Sequence, residues 1–267
     1  MKLSLSMNPY FAGCLILLGL WVGTYVLLRL LRRVSEVREF WWGSFTCALL
    51  GVTEPLFVPE YWDPPSILRW AGWDVESYLF CLATGGIAAV LTELPAVSGF
   101  FKQMDYAIWK MLRGLVTLLP PRAMSEPNPR FPIVSQSVYI PVNAMPLENM
   151  VLVTFAFAIF GMTANFSLNI IYKVAFVCFA VASFITWRRP RLRWQVLGGS
   201  FTFTVLYGVV LFVIGTLYPT FYVDYWNLPA LSGRWIGNAP AEEYLFAASL
   251  GSLWAPLYEA IRLQRDS

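Results

Sequence analysis

The chain has 267 residues, of which 58% are hydrophobic and only 13% are charged, a balance too apolar for an ordinary soluble domain. The formal net charge of +3 gives no indication of a nucleic-acid partner, and we expect none. The absence of histidine excludes haem and metals held by histidine, and the four cysteines show no paired spacing. We therefore expect a multi-pass integral membrane protein without a metal or cofactor, in the cell membrane if its source is bacterial or archaeal.

Seven apolar runs are long enough to cross a bilayer, at about 20 residues for each helix. They lie near residues 10–31, 40–58, 77–100, 148–166, 168–187, 198–219 and 241–262. The sequence therefore predicts an all-α membrane protein with seven transmembrane helices.

Basic residues predict how these helices are oriented. Lysine and arginine cluster in the linkers after the first, third and fifth runs and in the tail, with Arg32, Arg33, Arg188 and Arg189 as examples. Because positively charged loops remain cytoplasmic, we expect the N-terminus outside and the C-terminus in the cytoplasm. The long linker opens with a basic and apolar stretch at 101–119, which predicts an amphipathic helix on the cytoplasmic surface.

Similar features occur in the same order in the two halves of the chain. Gly-Ser-Phe-Thr is found at 43–46 and at 199–202, and Tyr-Leu-Phe at 78–80 and at 244–246. In each half a Tyr-Trp pair also begins six residues after a proline. Agreement in order and spacing predicts an internal duplication.

This duplication divides the chain into three parts. We expect a first three-helix repeat at 1–100, an amphipathic linker and a fourth helix at 101–167, and a second three-helix repeat at 168–267. Because the fourth helix restores the direction of the chain, the repeats should be parallel and related by an axis along the membrane normal.

Acidic residues begin the third and seventh runs, which the duplication brings to the same outer side of the membrane. Pro240-Ala241-Glu242-Glu243 opens the seventh run and Asp74-Val75-Glu76-Ser77 opens the third. Charge in hydrocarbon is costly and usually functional, although a helix N-terminus also favours an acid, so simple capping is an alternative. Because neighbouring helical positions diverge by about 100°, one of Glu242 and Glu243 should face the bundle while the other caps or anchors.

Acids beside aromatic side chains permit one particular reaction. A carboxylic acid kept neutral by burial can protonate an alkene, aromatic faces can stabilise the cation, and a second carboxylate or water can remove a proton. This net isomerisation requires no redox cofactor.

The doubled acidic motif resembles that of the integral-membrane lycopene cyclases, of the heterodimeric bacterial and the fused single-chain types. Their two homologous halves each carry Pro-x-Glu-(Glu/Asp), which Pro240-Ala241-Glu242-Glu243 fits completely. The first half departs from it, because Asp74 replaces the proline and Ser77 replaces the second acid. The resemblance implies an isomerase that closes rings at the ends of a linear carotenoid or another polyisoprenoid within the membrane.

Candidate site residues follow from the motif, its repeat and the aromatic residues around it. The candidate catalytic residues are Glu242 and Glu76, with Glu243 in support, and Glu60 and Asp224 in second rank. The candidate substrate-binding residues are Tyr78, Tyr244, Phe80, Phe246, Trp62, Trp226 and Glu54.

Two other functions remain open from the sequence. A seven-span terpene cyclase acting on a prenylated aromatic compound could use the same acids, although its motifs are not found here. A proton-coupled carrier built on parallel repeats could use them as a relay, although the low polar content within the helices favours an apolar substrate.

Overall fold

The computed structural model describes residues 7–70, 73–94 and 167–261, with isolated positions between 97 and 110 and at 161. Apart from those isolated positions, the predicted amphipathic helix at 101–119 and the predicted fourth span at 148–166 lie outside the described residues. The described helices are α1 (Pro9–Leu30), α2 (Val34–Ala48), α3 (Glu54–Phe57), α4 (Val75–Val90), α5 (Ile170–Arg188), α6 (Arg193–Leu217), α7 (Phe221–Tyr225) and α8 (Ala241–Ile261).

Within the described residues, four helical segments are long and apolar enough to cross a membrane. They are Pro9–Leu30, Val75–Glu93, Ile170–Arg188 and Pro190–Leu217. These segments correspond to the predicted first, third, fifth and sixth spans. The seventh predicted run folds as α8, a continuous helix of 21 residues.

The second predicted run differs most from its expected bounds. Helix α2 begins at Val34 rather than near residue 40, because the polar residues at its start form regular helical turns. Glu36 lies in the first turn, where a negative charge is favoured, and it forms an ion pair with Arg33 at 2.8 Å. The α-helix ends at Ala48 and continues as a 3₁₀ helix before Glu54 starts the short α3.

Two short β-hairpins modify the predicted all-α fold. Strands β1 (Arg69–Trp70) and β2 (Trp73–Asp74) pair directly before α4, and β3 (Trp235–Ile236) and β4 (Ala239–Pro240) pair directly before α8. The second hairpin turns at Gly237, whose φ of 62° favours glycine. The Gly-Asn sequence at this turn is a hairpin signal that the prediction overlooked.

Small residues allow the helices to approach closely at equivalent points of the two halves. Helix α4 packs against α1 and α2, α8 packs against α5 and α6, and α4 and α8 pack against each other. A Cβ atom added to Gly43 in α2 would lie 2.7 Å from the Cβ of Ala89, and one added to Gly199 in α6 would lie 2.5 Å from that of Ala255. Such small residues let packed helices approach closely in a membrane protein.

The two Tyr-Trp segments contact each other reciprocally. The backbone N–H of Asp63 donates to the carbonyl of Tyr225 at 2.8 Å, and the N–H of Asn227 donates to the carbonyl of Tyr61 at 3.0 Å. Between these bonds Trp62 and Trp226 form a β-bridge, with ring centroids 5.3 Å apart. The two segments are thereby joined directly beside the acidic first turn of α8.

Candidate functional site

Glu243 lies in the first turn of α8 at the centre of a buried hydrogen-bond cluster. Its side chain accepts hydrogen bonds from the Tyr61 hydroxyl, from the Trp226 indole N–H at 2.9 Å and from the Tyr207 hydroxyl at 3.0 Å. Only 4% of Glu243 is exposed. Burial makes the charged form of a carboxyl group costly, and the three donors are placed to stabilise the carboxylate that remains once a proton leaves.

Tyr61 belongs to this cluster as a hydrogen-bond donor. Burial, together with the neighbouring Glu243 carboxyl group, raises the pKa of the Tyr61 phenol. The phenol therefore keeps its proton at neutral pH and is the donor in its hydrogen bond to the Glu243 carboxyl group.

An aromatic cavity of about 40 Å³ opens beside Glu243. Glu243 is the acid among the described residues that line it. The aromatic side chains of the lining are Tyr10, Trp62, Phe80, Tyr207, Phe221, Tyr222 and Trp226. Because aromatic faces attract a positive charge, the cavity combines a buried acid with groups that stabilise a cation.

Helices from both halves of the chain build the cavity wall. Tyr10 comes from α1, Phe80 from α4 and Tyr207 from α6. The Phe80 ring stacks on that of Phe246, with centroids 6.4 Å apart, and the Tyr10 and Trp62 rings meet edge to face at 4.9 Å. Four of the predicted substrate-binding residues, Trp62, Trp226, Phe80 and Phe246, therefore lie at or directly behind this wall.

Glu242 points in a different direction from Glu243. One of its oxygens accepts hydrogen bonds from the Tyr172 hydroxyl at 2.5 Å and from the Ser232 backbone N–H at 2.8 Å. Its other oxygen is buried without a hydrogen-bond partner among the described residues. Glu242 thus connects α8 to α5 and to the chain before the hairpin, while Glu243 faces the cavity.

Glu76 has contacts similar to those of Glu242. One of its oxygens accepts from the backbone N–H of Ile67 at 2.6 Å and the other from the Ser66 hydroxyl at 2.8 Å. Only 2% of Glu76 is exposed. The carboxyl group therefore fixes the chain before the first hairpin to the start of α4.

Asp74 and Ser77, the two departures from the motif in the first half, each bond to another side chain. The buried Asp74 forms a two-pronged ion pair with the exposed Arg69, at 2.7 and 3.0 Å, across the first hairpin. The Ser77 hydroxyl shares a hydrogen bond of 2.8 Å with that of Tyr10 on α1. Asp74 therefore stabilises the hairpin, and Ser77 points towards the cavity wall through Tyr10.

The remaining predicted site residues lie outside the Glu243 cluster. Glu60 accepts a hydrogen bond from the backbone N–H of Ile170 at 2.9 Å and so caps α5, and Asp224 is exposed on α7. Tyr78 packs over Gly51, and Tyr244 packs over Gly208.

Sequence reasoning missed several residues of the site, among them Tyr10, Ser77 and Tyr207. Tyr207 and Tyr10 carry hydroxyl groups within apolar helices, and Ser77 was considered only as a departure from the motif. A polar group inside a membrane helix is a signal of function in itself, and this signal could have found both tyrosines. Their meeting at one cavity depends on packing between distant helices.

In the described part of the chain, no group of three or more Cys, Asp or Glu side chains could hold a metal ion.

Comparison with known protein families gave one match. The lycopene cyclase family matches residues 169–261, whereas no curated protein and no solved structure matches the chain. The matched segment contains α5, α6 and α8 and supplies Tyr207, Trp226, Glu242 and Glu243 to the site. Residues 169–261, most of the second half of the chain, are therefore similar to the lycopene cyclase family.

Proposed function

We propose that this protein is a carotenoid cyclase that closes a ring at the end of a linear, lycopene-type carotenoid. The match to the lycopene cyclase family supports a cyclase acting on a carotenoid. The observation that carries the proposal is the position of Glu243, a buried acid that faces an aromatic cavity. This arrangement suits the protonation of an alkene.

Glu243 is the proton donor of the proposed reaction. Its carboxyl O–H transfers a proton to the terminal carbon–carbon double bond, and the electron pair of that double bond forms the new C–H bond. The Tyr61, Tyr207 and Trp226 donors stabilise the carboxylate that remains. Because these donors are in place before the reaction, they favour proton release without reorganisation.

Ring closure follows from the cation that protonation creates. The neighbouring double bond attacks the tertiary carbocation, a carbon–carbon bond forms, and the positive charge moves into the new ring. Aromatic faces such as Trp62, Phe80 and Trp226 stabilise this charge. Loss of a ring proton restores a double bond, so that the net change is an isomerisation without electron transfer.

The cavity must widen to hold the end of a carotenoid. Its volume of about 40 Å³ leaves room for only a few water molecules. We infer that the end group displaces aromatic side chains of the wall as it binds. Much of the long apolar remainder would stay in the lipid bilayer or against the helices.

The proposed enzyme is a multi-pass membrane protein of two parallel three-helix repeats joined by a fourth helix, with its N-terminus outside. The equivalent glycine contacts at Gly43 and Gly199 support this arrangement. The reciprocal hydrogen bonds between the two Tyr-Trp segments also support it, because a two-fold relation makes each contact occur twice.

Expression in a bacterium that accumulates lycopene tests the proposed function. The pigments are separated by chromatography, and the membrane fraction is probed for the protein. We expect the native chain to form a cyclic carotenoid and Glu243→Gln to form none. The matched control is Glu36→Gln, which removes an acid from the α2 ion pair with Arg33 and should retain activity. Unchanged lycopene with the native chain present in the membrane would overturn the proposal.

A further inference from the structure

A second buried acid, Glu54, lies near the cavity and has no role in the steps above. Glu54 is the first residue of α3 and is 6% exposed. Its Oε1 atom is buried without a hydrogen-bond partner among the described residues. An unpaired buried carboxyl oxygen is costly, so its presence in Glu54 requires an explanation.

Glu54 is connected to the cavity through two hydroxyl groups. Its carboxyl group lies close enough to the Ser77 side chain to interact with it. The Ser77 hydroxyl is bonded to the Tyr10 hydroxyl at 2.8 Å, and either group can be the donor. Tyr10 lines the cavity that Glu243 also lines. Tyr10, Ser77 and Glu54 therefore lie in a row that leads away from the cavity.

Arg69 is a cation near Glu54, and its ion pairs are with other acids. Arg69 donates to Asp74 at 2.7 Å and to Asp63 at 3.0 Å. Within the described part of the chain, no ion pair joins Arg69 to Glu54. Two other carboxylates thus already neutralise Arg69, which weakens its attraction for Glu54.

We propose that Glu54 accepts, through Ser77 and Tyr10, the proton that the ring loses after closure. This inference rests on the proposed function, in which Glu243 supplies the first proton. The two acids reach the cavity from different halves of the chain, Glu243 from α8 and Glu54 from α3. One ring closure would therefore use an acid from the second half and a base from the first half.

The proton transfer is balanced along the path. The ring C–H bond breaks, its electron pair forms the new ring double bond, and the proton goes to the Tyr10 oxygen. The Tyr10 proton moves to Ser77 and the Ser77 proton moves to Glu54. Glu243 ends as a carboxylate and Glu54 ends protonated, so the enzyme is reset when Glu54 releases a proton to the solvent and Glu243 takes one up.

The position of the new double bond provides the first test. When the acceptor is lost, the ring cation loses a proton from another carbon or is captured by water. In Glu54→Gln we expect the share of the native ring isomer to fall at least about tenfold, because a positioned base contributes about 10²–10⁴-fold. Tyr10→Phe should change the product in the same direction. Glu54→Asp should retain the native isomer, and Glu36→Gln is the matched control.

A rescue variant separates proton transfer from a structural role. Ser77→Glu restores the acid at the position equivalent to Glu243, next to Tyr10. In the Glu54→Gln background, Ser77→Glu should recover the native ring isomer. If Glu54→Gln only lowers the yield of cyclic carotenoid and the ratio of ring isomers is unchanged, the inference is overturned.

Infrared spectroscopy of the acidified, purified protein tests the path without turnover. We expect a C=O band of protonated Glu54 that is missing in Glu54→Gln and that shifts in both Ser77→Ala and Tyr10→Phe. A band that stays unchanged in these two variants would overturn the path even if the native chain is inactive. If the native chain forms no cyclic product, the proposed function is overturned. If it forms one and Glu54→Gln gives the same ring isomers, only this inference is overturned.

Discussion

The acidic starts of α4 and α8 differ at one position that faces the centre of the molecule. Glu76 and Glu242 occupy equivalent places, and each accepts a hydrogen bond from a backbone N–H before its hairpin. The next residue is Ser77 in the first half and Glu243 in the second. Ser77 contacts one tyrosine, Tyr10, whereas Glu243 accepts from two tyrosines and a tryptophan.

This difference separates a structural part of the motif from a chemical part. The first acid of the motif holds the hairpin against the helix in both halves, while the second position reaches the cavity. Where the second position is serine, Glu54 from a different helix lies beside it. The comparison therefore predicts unequal consequences when equivalent residues are changed.

The largest effect is expected for Glu243→Gln. The amide has the shape of the carboxylic acid but cannot supply the proton, so turnover should fall by at least about 10²-fold. Glu243→Asp keeps the acid but shortens its reach and should retain part of the turnover. Cyclised product per amount of folded protein is the measurement. If Glu243→Gln keeps turnover near the native level, Glu243 is not the proton donor and the two acids of the motif no longer differ in role.

The donors around Glu243 sharpen the comparison, because the first half has no equivalent set at Ser77 among the described contacts. Tyr207→Phe removes one hydrogen bond to the carboxylate that forms when the proton leaves. A hydrogen bond to a charged group contributes about 1.5–3 kcal/mol, so kcat should fall by about tenfold or more, while KM should change little. Steady-state kinetics in detergent or lipid measures both constants. An effect confined to KM would show that Tyr207 acts in binding.

The shared structural role of Glu76 and Glu242 predicts losses of stability. Glu76→Gln and Glu242→Gln each weaken hydrogen bonds between a helix and the chain before its hairpin, and each should cost about 1–3 kcal/mol of folding free energy. Thermal unfolding in detergent should show a lower midpoint in both variants. Turnover of the folded fraction should fall by less than it does in Glu243→Gln. A complete loss of turnover at a native midpoint would instead give these acids a chemical role.

Much of the helical layout could be predicted from the sequence, because apolar run length follows directly from bilayer thickness. The predicted first, fifth and sixth spans correspond to α1, α5 and α6 with small shifts at their ends. The start of α2 was misplaced, because Glu36 and Arg33 make a polar segment helical through an ion pair. Hydropathy carries no information about such pairs.

The site could be predicted only in part. The motif identified Glu242 and Glu243, and helix geometry predicted that they would diverge, but it did not indicate which of them faces the cavity. The contacts of Tyr10 with Ser77 and of Tyr207 with Glu243 join residues that are 67 and 36 positions apart. Such contacts depend on the relative placement of whole helices. The role of Asp74 also required the structure, since its partner Arg69 lies across a hairpin that was not predicted.

The smallest effect is expected at another equivalent pair, Glu60 and Asp224. Glu60 accepts the hydrogen bond of the Ile170 N–H at the start of α5, and loss of such a cap typically costs about 0.5–2 kcal/mol. Asp224 is exposed on the short α7, and exposed substitutions usually stay within about 0.5 kcal/mol. Glu60→Ala should therefore lower the thermal midpoint, whereas Asp224→Ala should leave it near the native value. Equal midpoints would mean that Glu60 does not stabilise α5. Turnover of the folded fraction should stay near the native level in both variants, because neither residue reaches Glu243. A large loss of turnover in either variant would instead place that residue in the reacting site.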